Sequence, residues 1–205
     1  MLIGFDANIS TRDSAVGAGE NSNSDNGNSW LGPGGVYQNT FVNNTGQDLT
    51  LVVWGQGYSA AFVEINPPSI NVPLKSGDNL TVSFAEGASG AWSALYNDTG
   101  LRLGMINNTM GEFTFKSSNG SYDVSRKPNT SGHDMTIIGP DCTASFDNCV
   151  FLCIDPTAAN CYEAGSYELV NCTGPYTQNG LNDGQPSGGC TWAGVGVSLV
   201  TYLRV

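Results

Sequence analysis

Along Asn79-Leu80-Thr81-Val82-Ser83-Phe84 every second residue is apolar, the two-residue period of a strand with one face buried. Comparable short β-signals recur at Val36–Asn43, Leu49–Gly55, Ala60–Ile65, Leu80–Phe84, Ala91–Tyr96, Glu112–Lys116, Tyr122–Ser125 and Met135–Ile138. Turn-forming clusters separate them, among them Asn44-Thr45-Gly46, Ser76-Gly77-Asp78, Asn97-Asp98-Thr99-Gly100 and Asn119-Gly120. No amphipathic helical period appears before Cys142. Short strands at this spacing predict a mainly β chain, a sandwich or barrel.

The pattern also divides the chain. Residues 1–35, with Asn21-Ser22-Asn23-Ser24-Asp25-Asn26-Gly27-Asn28-Ser29, have no apolar period and read as a flexible segment, so order is expected from about Tyr37. Residues 36–205 are expected to form one β domain, with an irregular lobe at about 140–190. Within that lobe Asn171-Cys172-Thr173-Gly174-Pro175 and Asn179-Gly180-Leu181-Asn182-Asp183-Gly184 read as loops. Strand character returns at Trp192–Leu203, with Val195, Val197, Leu199 and Thr201 on one face, which predicts a last strand rejoining the main sheet.

All 6 cysteines fall in that lobe: Cys142, Cys149, Cys153, Cys161, Cys172 and Cys190. Such clustering predicts three disulfides and an oxidising compartment, with the pairing left open. The spacings include no C-x-x-C pair, and the only histidine is His133, so a metal site is the weaker reading and none is expected. Asn-x-Ser/Thr sites at Asn8, Asn43, Asn79, Asn97, Asn107, Asn119, Asn129 and Asn171 fit a secreted, extracellular or wall-associated glycoprotein. Met1–Asp6 has neither the basic start nor the apolar run of a signal peptide.

Charge narrows the partners. Charged residues are only 12% of the chain, yet 18 Asp and Glu against 7 Lys and Arg leave a net charge of −11. That field repels phosphate backbones, so nucleic acid is not expected. No apolar run is long enough for a membrane helix. A neutral, polar surface of Asn, Ser, Thr and Gly suits hydrogen bonding to sugars.

Candidate chemistry centres on Gly111-Glu112-Phe113-Thr114-Phe115 and Tyr122-Asp123-Val124-Ser125. If Ser117–Ser121 holds the turn of a hairpin, Phe113, Phe115, Tyr122 and Val124 face inward while Glu112, Thr114, Asp123 and Ser125 share the outer face. Two carboxyl groups so placed can divide the proton-donor and base or nucleophile roles of glycoside hydrolysis. The same pattern also describes an ordinary solvated hairpin face. A Ser-His-Asp triad would have to run through His133 beside Asp134. Trp30, Trp54, Trp92, Trp192 and Tyr58 are candidate sugar platforms, against the commoner role of aromatic residues in cores.

Thr40-Phe41-Val42-Asn43 followed by Leu51-Val52-Val53-Trp54 resembles the opening strands of thaumatin-like proteins. Leu74-Lys75-Ser76-Gly77-Asp78 resembles the turn of their second hairpin, and Gly90-Ala91-Trp92 the strand after it. Glu112-Phe113, Tyr122-Asp123-Val124-Ser125 and Met135 are similar to the family's most recognisable block, also found in related secreted fungal allergens. The likeness spans about Val36–Ile138. It implies a thaumatin-like β-sandwich with a disulfide-rich lobe and an acidic cleft that binds β-glucan or a related wall polysaccharide, without a cofactor. In some members the cleft cleaves β-1,3-glucan; other proteins of this kind have no carbohydrate ligand.

The family cleft carries an Arg, a Glu and three Asp. Glu112 matches the Glu and Asp123 one Asp, which in an endo-β-1,3-glucanase would be the general acid and the second carboxylate. Asp134 is near a second Asp position but out of register. The Arg position falls at Ser93-Ala94, with Arg102 the nearest substitute, and Asp155 or Asp183 is a candidate for the last acid. Trp92 and Tyr58 would be substrate contacts.

Overall fold

The computed structural model describes residues 18–55, 67–102 and 104–205. The predicted strand Ala60–Ile65, Tyr58 and Asn8 lie outside the described residues. The first strands are β1 (Ser29–Leu31), β2 (Tyr37–Asn43), β3 (Leu49–Trp54), β4 (Ile70–Leu74), β5 (Asn79–Phe84) and β6 (Ser89–Leu95). After them come β7 (Leu101–Arg102), β8 (Met105–Ile106), β9 (Met110–Thr114), β10 (Gly120–Ser125), β11 (Met135–Ile138) and β12 (Thr143–Ala144). The lobe and the return strand supply β13 (Val150–Cys153), β14 (Tyr167–Val170), β15 (Thr177–Asn182), β16 (Gln185–Trp192) and β17 (Val197–Leu203). The fold is mainly β, as the strand periods predict, and no helix among the described residues is long and apolar enough to cross a membrane.

Two large sheets carry most of these strands, and β7 pairs only with β8. The first runs β1-β5-β2-β17-β11-β12 and the second β14-β13-β10-β9-β6-β3-β4, with the β15–β16 hairpin joined to β10. Their facing sides share one apolar core, into which alternate residues of the central strands point. Phe41 of the first sheet meets the edge of Trp92 of the second at 5.3 Å, and Phe84 meets Phe113 at 4.9 Å. In β2 the buried positions are Tyr37, Asn39, Phe41 and Asn43. Asn39 is tolerated there because its amide donates to Thr201 Oγ1 of β17 at 2.8 Å. The run Leu51-Val52-Val53-Trp54 is apolar on both faces for a separate reason. Val52 and Trp54 lie under a second cluster with Ala91, Leu95, Ile106 and Met110, on the far side of the sheet.

Several expectations need correction. Residues 18–35 are not a loose linker: β1 pairs antiparallel with β5, Trp30 is buried, and Asn21 N–H donates to Ser69 O at 2.9 Å. Polar composition hid the two apolar residues that anchor it, Trp30 and Leu31. The turn at Lys75–Asp78 forms, but it passes from β4 in one sheet to β5 in the other rather than closing a hairpin. Strand β4 contains Pro73 and went unrecognised; as the edge strand of its sheet it tolerates the missing donor. Asn179–Gly184 belongs to a regular hairpin, turned through Asp183 (φ 48°) and Gly184 (φ 78°), the left-handed pair that a tight two-residue turn requires. The last strand does rejoin the first sheet, parallel to β2 and antiparallel to β11. It starts at Val197, however, and Val195 is 76% exposed in the bend before it.

The six cysteines form Cys142–Cys190, Cys149–Cys172 and Cys153–Cys161, with none free. The first bridge ties the end of the sandwich to β16, and the third closes the loop between β13 and β14.

Trp30→Ala should destabilise the protein by about 3–5 kcal/mol in urea unfolding, as loss of a buried aromatic side chain does. A truncation beginning at Val36 should lose at least as much; unchanged unfolding of both would mean that β1 is not a docked strand. Among the bridges, removing Cys142–Cys190, with a sequence separation of 48, should cost more than removing Cys153–Cys161, with a separation of 8. Chain-entropy reasoning gives about 4 and about 2.5 kcal/mol respectively. Paired Cys→Ala variants compared by equilibrium unfolding test that order.

Candidate functional site

Strands β9 and β10 pair antiparallel with Asp123 directly opposite Glu112, Ser121 opposite Thr114 and Tyr122 opposite Phe113. Phe113, Phe115, Tyr122 and Val124 are buried in the core, so the carboxyl pair is forced onto the outer face of the second sheet. Trp92 stacks on Phe113 at 5.1 Å, and its indole lies over Gly111, where a side chain would collide with it.

The carboxyl pair lines a groove of about 430 Å³. Ser89 and Thr114 border it from β6 and β9, Ser121 from β10, and Asn182 and Ser187 from the β15–β16 hairpin. The hairpin comes close because Gly189 has no side chain: a Cβ there would sit 2.5 Å from Tyr122 O and 2.9 Å from the Asp123 Cβ. Its φ of 124° excludes other residues independently.

The two acids differ sharply in exposure. Glu112 keeps 29% of its side chain exposed, whereas Asp123 is 5% exposed. The expectation that both face solvent therefore fails for Asp123, which the hairpin covers. Asp123 Oδ1 has no hydrogen-bond partner. Burial first, and then the neighbouring Glu112 charge, hold the Asp123 carboxyl well above the usual carboxylate range, with Lys127 offsetting part of the effect.

Lys127 is the residue that sequence reasoning missed. It stands two residues after β10 and reaches back over the pair, with Nζ 3.1 Å from Glu112 Oε2 and 3.5 Å from Oε1. Only the Oε1 contact has hydrogen-bond geometry; that to Oε2 is an ion pair. Nζ also sits 4.7 Å from the centre of the Phe151 ring and 4.7 Å from that of Tyr167. Burial draws the ammonium down, but Glu112 and Asp123 outweigh it and leave Lys127 above its ordinary value. The available signal was the Arg126-Lys127 pair directly after the Asp-Val-Ser block.

The other candidates disperse. Asp134 pairs with Arg204 at 3.4 Å and does not line the groove. Arg102 lies on the β7–β8 hairpin, where its guanidinium donates to the Asn160 side-chain oxygen at 2.7 Å. Tyr162, pushed up by burial, lies within electrostatic reach of both Arg102 and Glu112, so Arg102 borders the region without touching the pair. Trp92 is fully buried, and Trp30, Trp54 and Trp192 are buried too, so none of the four is a sugar platform. Asp155 accepts from Thr157 N–H at 2.8 Å in its own turn, and Asp183 forms the hairpin turn. His133 stacks on Tyr96 and bonds Asp98 at 2.8 Å, which removes it from the Asp134 triad reading.

Among the sequons, Asn79, Asn97, Asn119 and Asn171 are exposed, and Asn107 and Asn129 are half-buried. Asn43 is fully buried, its amide donating to Gln47 O and Leu74 O, and has no room for a glycan.

The fold and site define a disulfide-bonded β-sandwich with a carboxyl–lysine groove. No family model matches the chain, and neither does any curated protein. Among solved structures it is similar to the protein elicitor MoHrip2 from Magnaporthe oryzae, with 14% sequence identity and a TM-score of 0.43, over 82% of this chain and 98% of that one. At that level nothing about activity passes from one to the other.

The raised Asp123 makes stability depend on pH with a definite sign. Below the ordinary carboxyl range both folded and unfolded chains hold this proton. Above it the unfolded chain releases the proton first, so the contribution is lost as pH rises through the folded-state value. Asp123→Asn, uncharged throughout, should be more stable than the wild type at neutral pH, with the difference shrinking toward acid. Urea unfolding at a series of pH values checks this; a constant difference would contradict the assignment.

Proposed function

We propose that this is a secreted protein whose groove binds a neutral wall polysaccharide of the β-glucan class. The observation that carries the reading is the buried Asp123 carboxyl, unpartnered at Oδ1 and lining a groove bordered by hydroxyl and amide side chains. An unmet hydrogen-bonding group beneath such a groove is expensive, and the hydroxyl and amide side chains around it are partners of matching chemistry for sugar hydroxyls. Three disulfides and no free cysteine support the secreted setting. The resemblance of the Glu112-Phe113 and Asp123-Val124-Ser125 block to thaumatin-like proteins supports the ligand class.

A second reading, hydrolysis, has its own support. Asp123 retains its proton above the usual carboxylate range, and Glu112 sits opposite it. In that reading the proton donor is Asp123, with Glu112 the second carboxylate, the reverse of the assignment made from sequence. Against it stands the Lys127–Glu112 ion pair, which occupies the carboxylate that would act as nucleophile or base.

The protein should be retained on insoluble β-1,3-glucan and should release no reducing ends from laminarin. Asp123→Asn, isosteric with the protonated acid, should keep that retention. Turnover that vanishes in Asp123→Asn would establish the hydrolase instead, and absence of retention in the wild type would sink the glucan reading.

A further inference from the structure

Lys127 is the lysine that lines the groove. Its backbone is fixed from two sides: Arg126 N–H donates to Phe151 O at 3.0 Å, and Cys161 N–H donates to Lys127 O at 2.9 Å. Its side chain is 14% exposed, unusual for the one long flexible ammonium at a groove in a chain of charge −11. The two rings that hold it belong to β13 and β14, and Cys153 at the end of β13 pairs in register with Tyr167. The Cys153–Cys161 bridge closes the loop between those strands. The disulfide lobe thus supplies a cage that places one positive charge over the carboxyl pair.

We propose that Lys127 is the specificity-determining residue of the groove: by balancing the charge of the Glu112–Asp123 pair it fits the groove to neutral glycan strands and turns away cationic amino-sugar polymers. The proposal rests on the glycan-binding reading of the same groove. Without Lys127 the floor would present two carboxyl groups, one on each of two neighbouring strands, inside an acidic field that attracts ammonium groups. With Lys127 in place, an incoming sugar ammonium meets a like charge 3.1 Å from Glu112 and has to displace it from both rings. A neutral hydroxyl faces no such barrier, and the Ser, Thr and Asn side chains around the groove are partners for it. The device is one of exclusion: a repulsive element selects between two polymers of similar shape.

The test uses the full chain as wild type, Lys127→Met and Lys127→Arg. Met retains the apolar stem against Phe151 and Tyr167 and removes only the charge. Binding of a β-1,3-linked gluco-oligosaccharide and of a glucosamine oligomer is measured by calorimetry in mildly acid solution, where the amine is charged. Carboxyl carbon NMR follows the titration of Asp123 in parallel. The wild type should bind the neutral oligomer and not the cationic one. Lys127→Met should gain at least about tenfold in affinity for the glucosamine oligomer, and its Asp123 carboxyl should take up its proton at higher pH. Lys127→Arg should restore the wild-type preference.

A Lys127→Met protein with the wild-type preference overturns the proposal, whether or not its Asp123 titration moves. If Met does not fold, Lys127→Gln is the neutral variant and is read by the same criteria. Wild-type protein that binds neither oligomer overturns the specificity claim through the glycan reading. In that case the carboxyl titration tells whether Lys127 itself failed: a moved titration locates the failure in the ligand, an unmoved one in Lys127.

Discussion

The aromatic contact between the two sheets is the constraint on which the rest depends. Phe84 from the first sheet touches Phe113 and Phe115 from the second, at 4.9 Å and 4.5 Å, and Trp92 closes the set by stacking on Phe113. Such pairs add about 0.5–1.5 kcal/mol each beyond the area they bury. Their larger effect is on register. Side chains alternate along a strand, so fixing Phe113 and Phe115 inward leaves Glu112 and Thr114 no position except outward. Tyr122 and Val124 impose the same on Asp123. The carboxyl pair is placed by the hydrophobic core behind it.

A sheet face alone would leave that pair solvated and ordinary. The disulfide lobe changes its chemistry from the other side. The β15–β16 hairpin lies over Asp123 through the Gly189 approach, and β13 and β14 bring Phe151 and Tyr167 around Lys127. Two carboxyl groups equivalent in the strand pattern become unequal: one buried with its proton held, the other paired with an ammonium. Cysteine pairing and groove electrostatics are therefore linked, since the bridges hold the strands that create the asymmetry.

Legibility followed locality. The strands β2, β3, β5, β6, β9, β10 and β11 show their own apolar period, and each lies within a residue or two of its expected place. The misses came where a partner supplied the missing information. Strand β1 is three residues long, with only Trp30 and Leu31 apolar, and exists because β5 offers an edge. Strand β4 tolerates Pro73 only as an edge. The hairpin at Asp183-Gly184 looks like a loop because β15 is exposed along most of its length and so carries no burial pattern.

The sequence by itself determined that the chain is β, that its cysteines pair within one lobe, and that Glu112 and Asp123 share a face. Each of these follows from short-range regularities: a period of two, clustering of one residue type, and a short turn between strands. Tertiary structure alone decided the disulfide pairing, the burial of Asp123, the dispersal of Asp134 and Trp92, and the capture of Lys127. Those outcomes depend on which surfaces meet across the fold. Desolvation and charge pairing arise only from that meeting, because both are set by distance in space and not by separation along the chain.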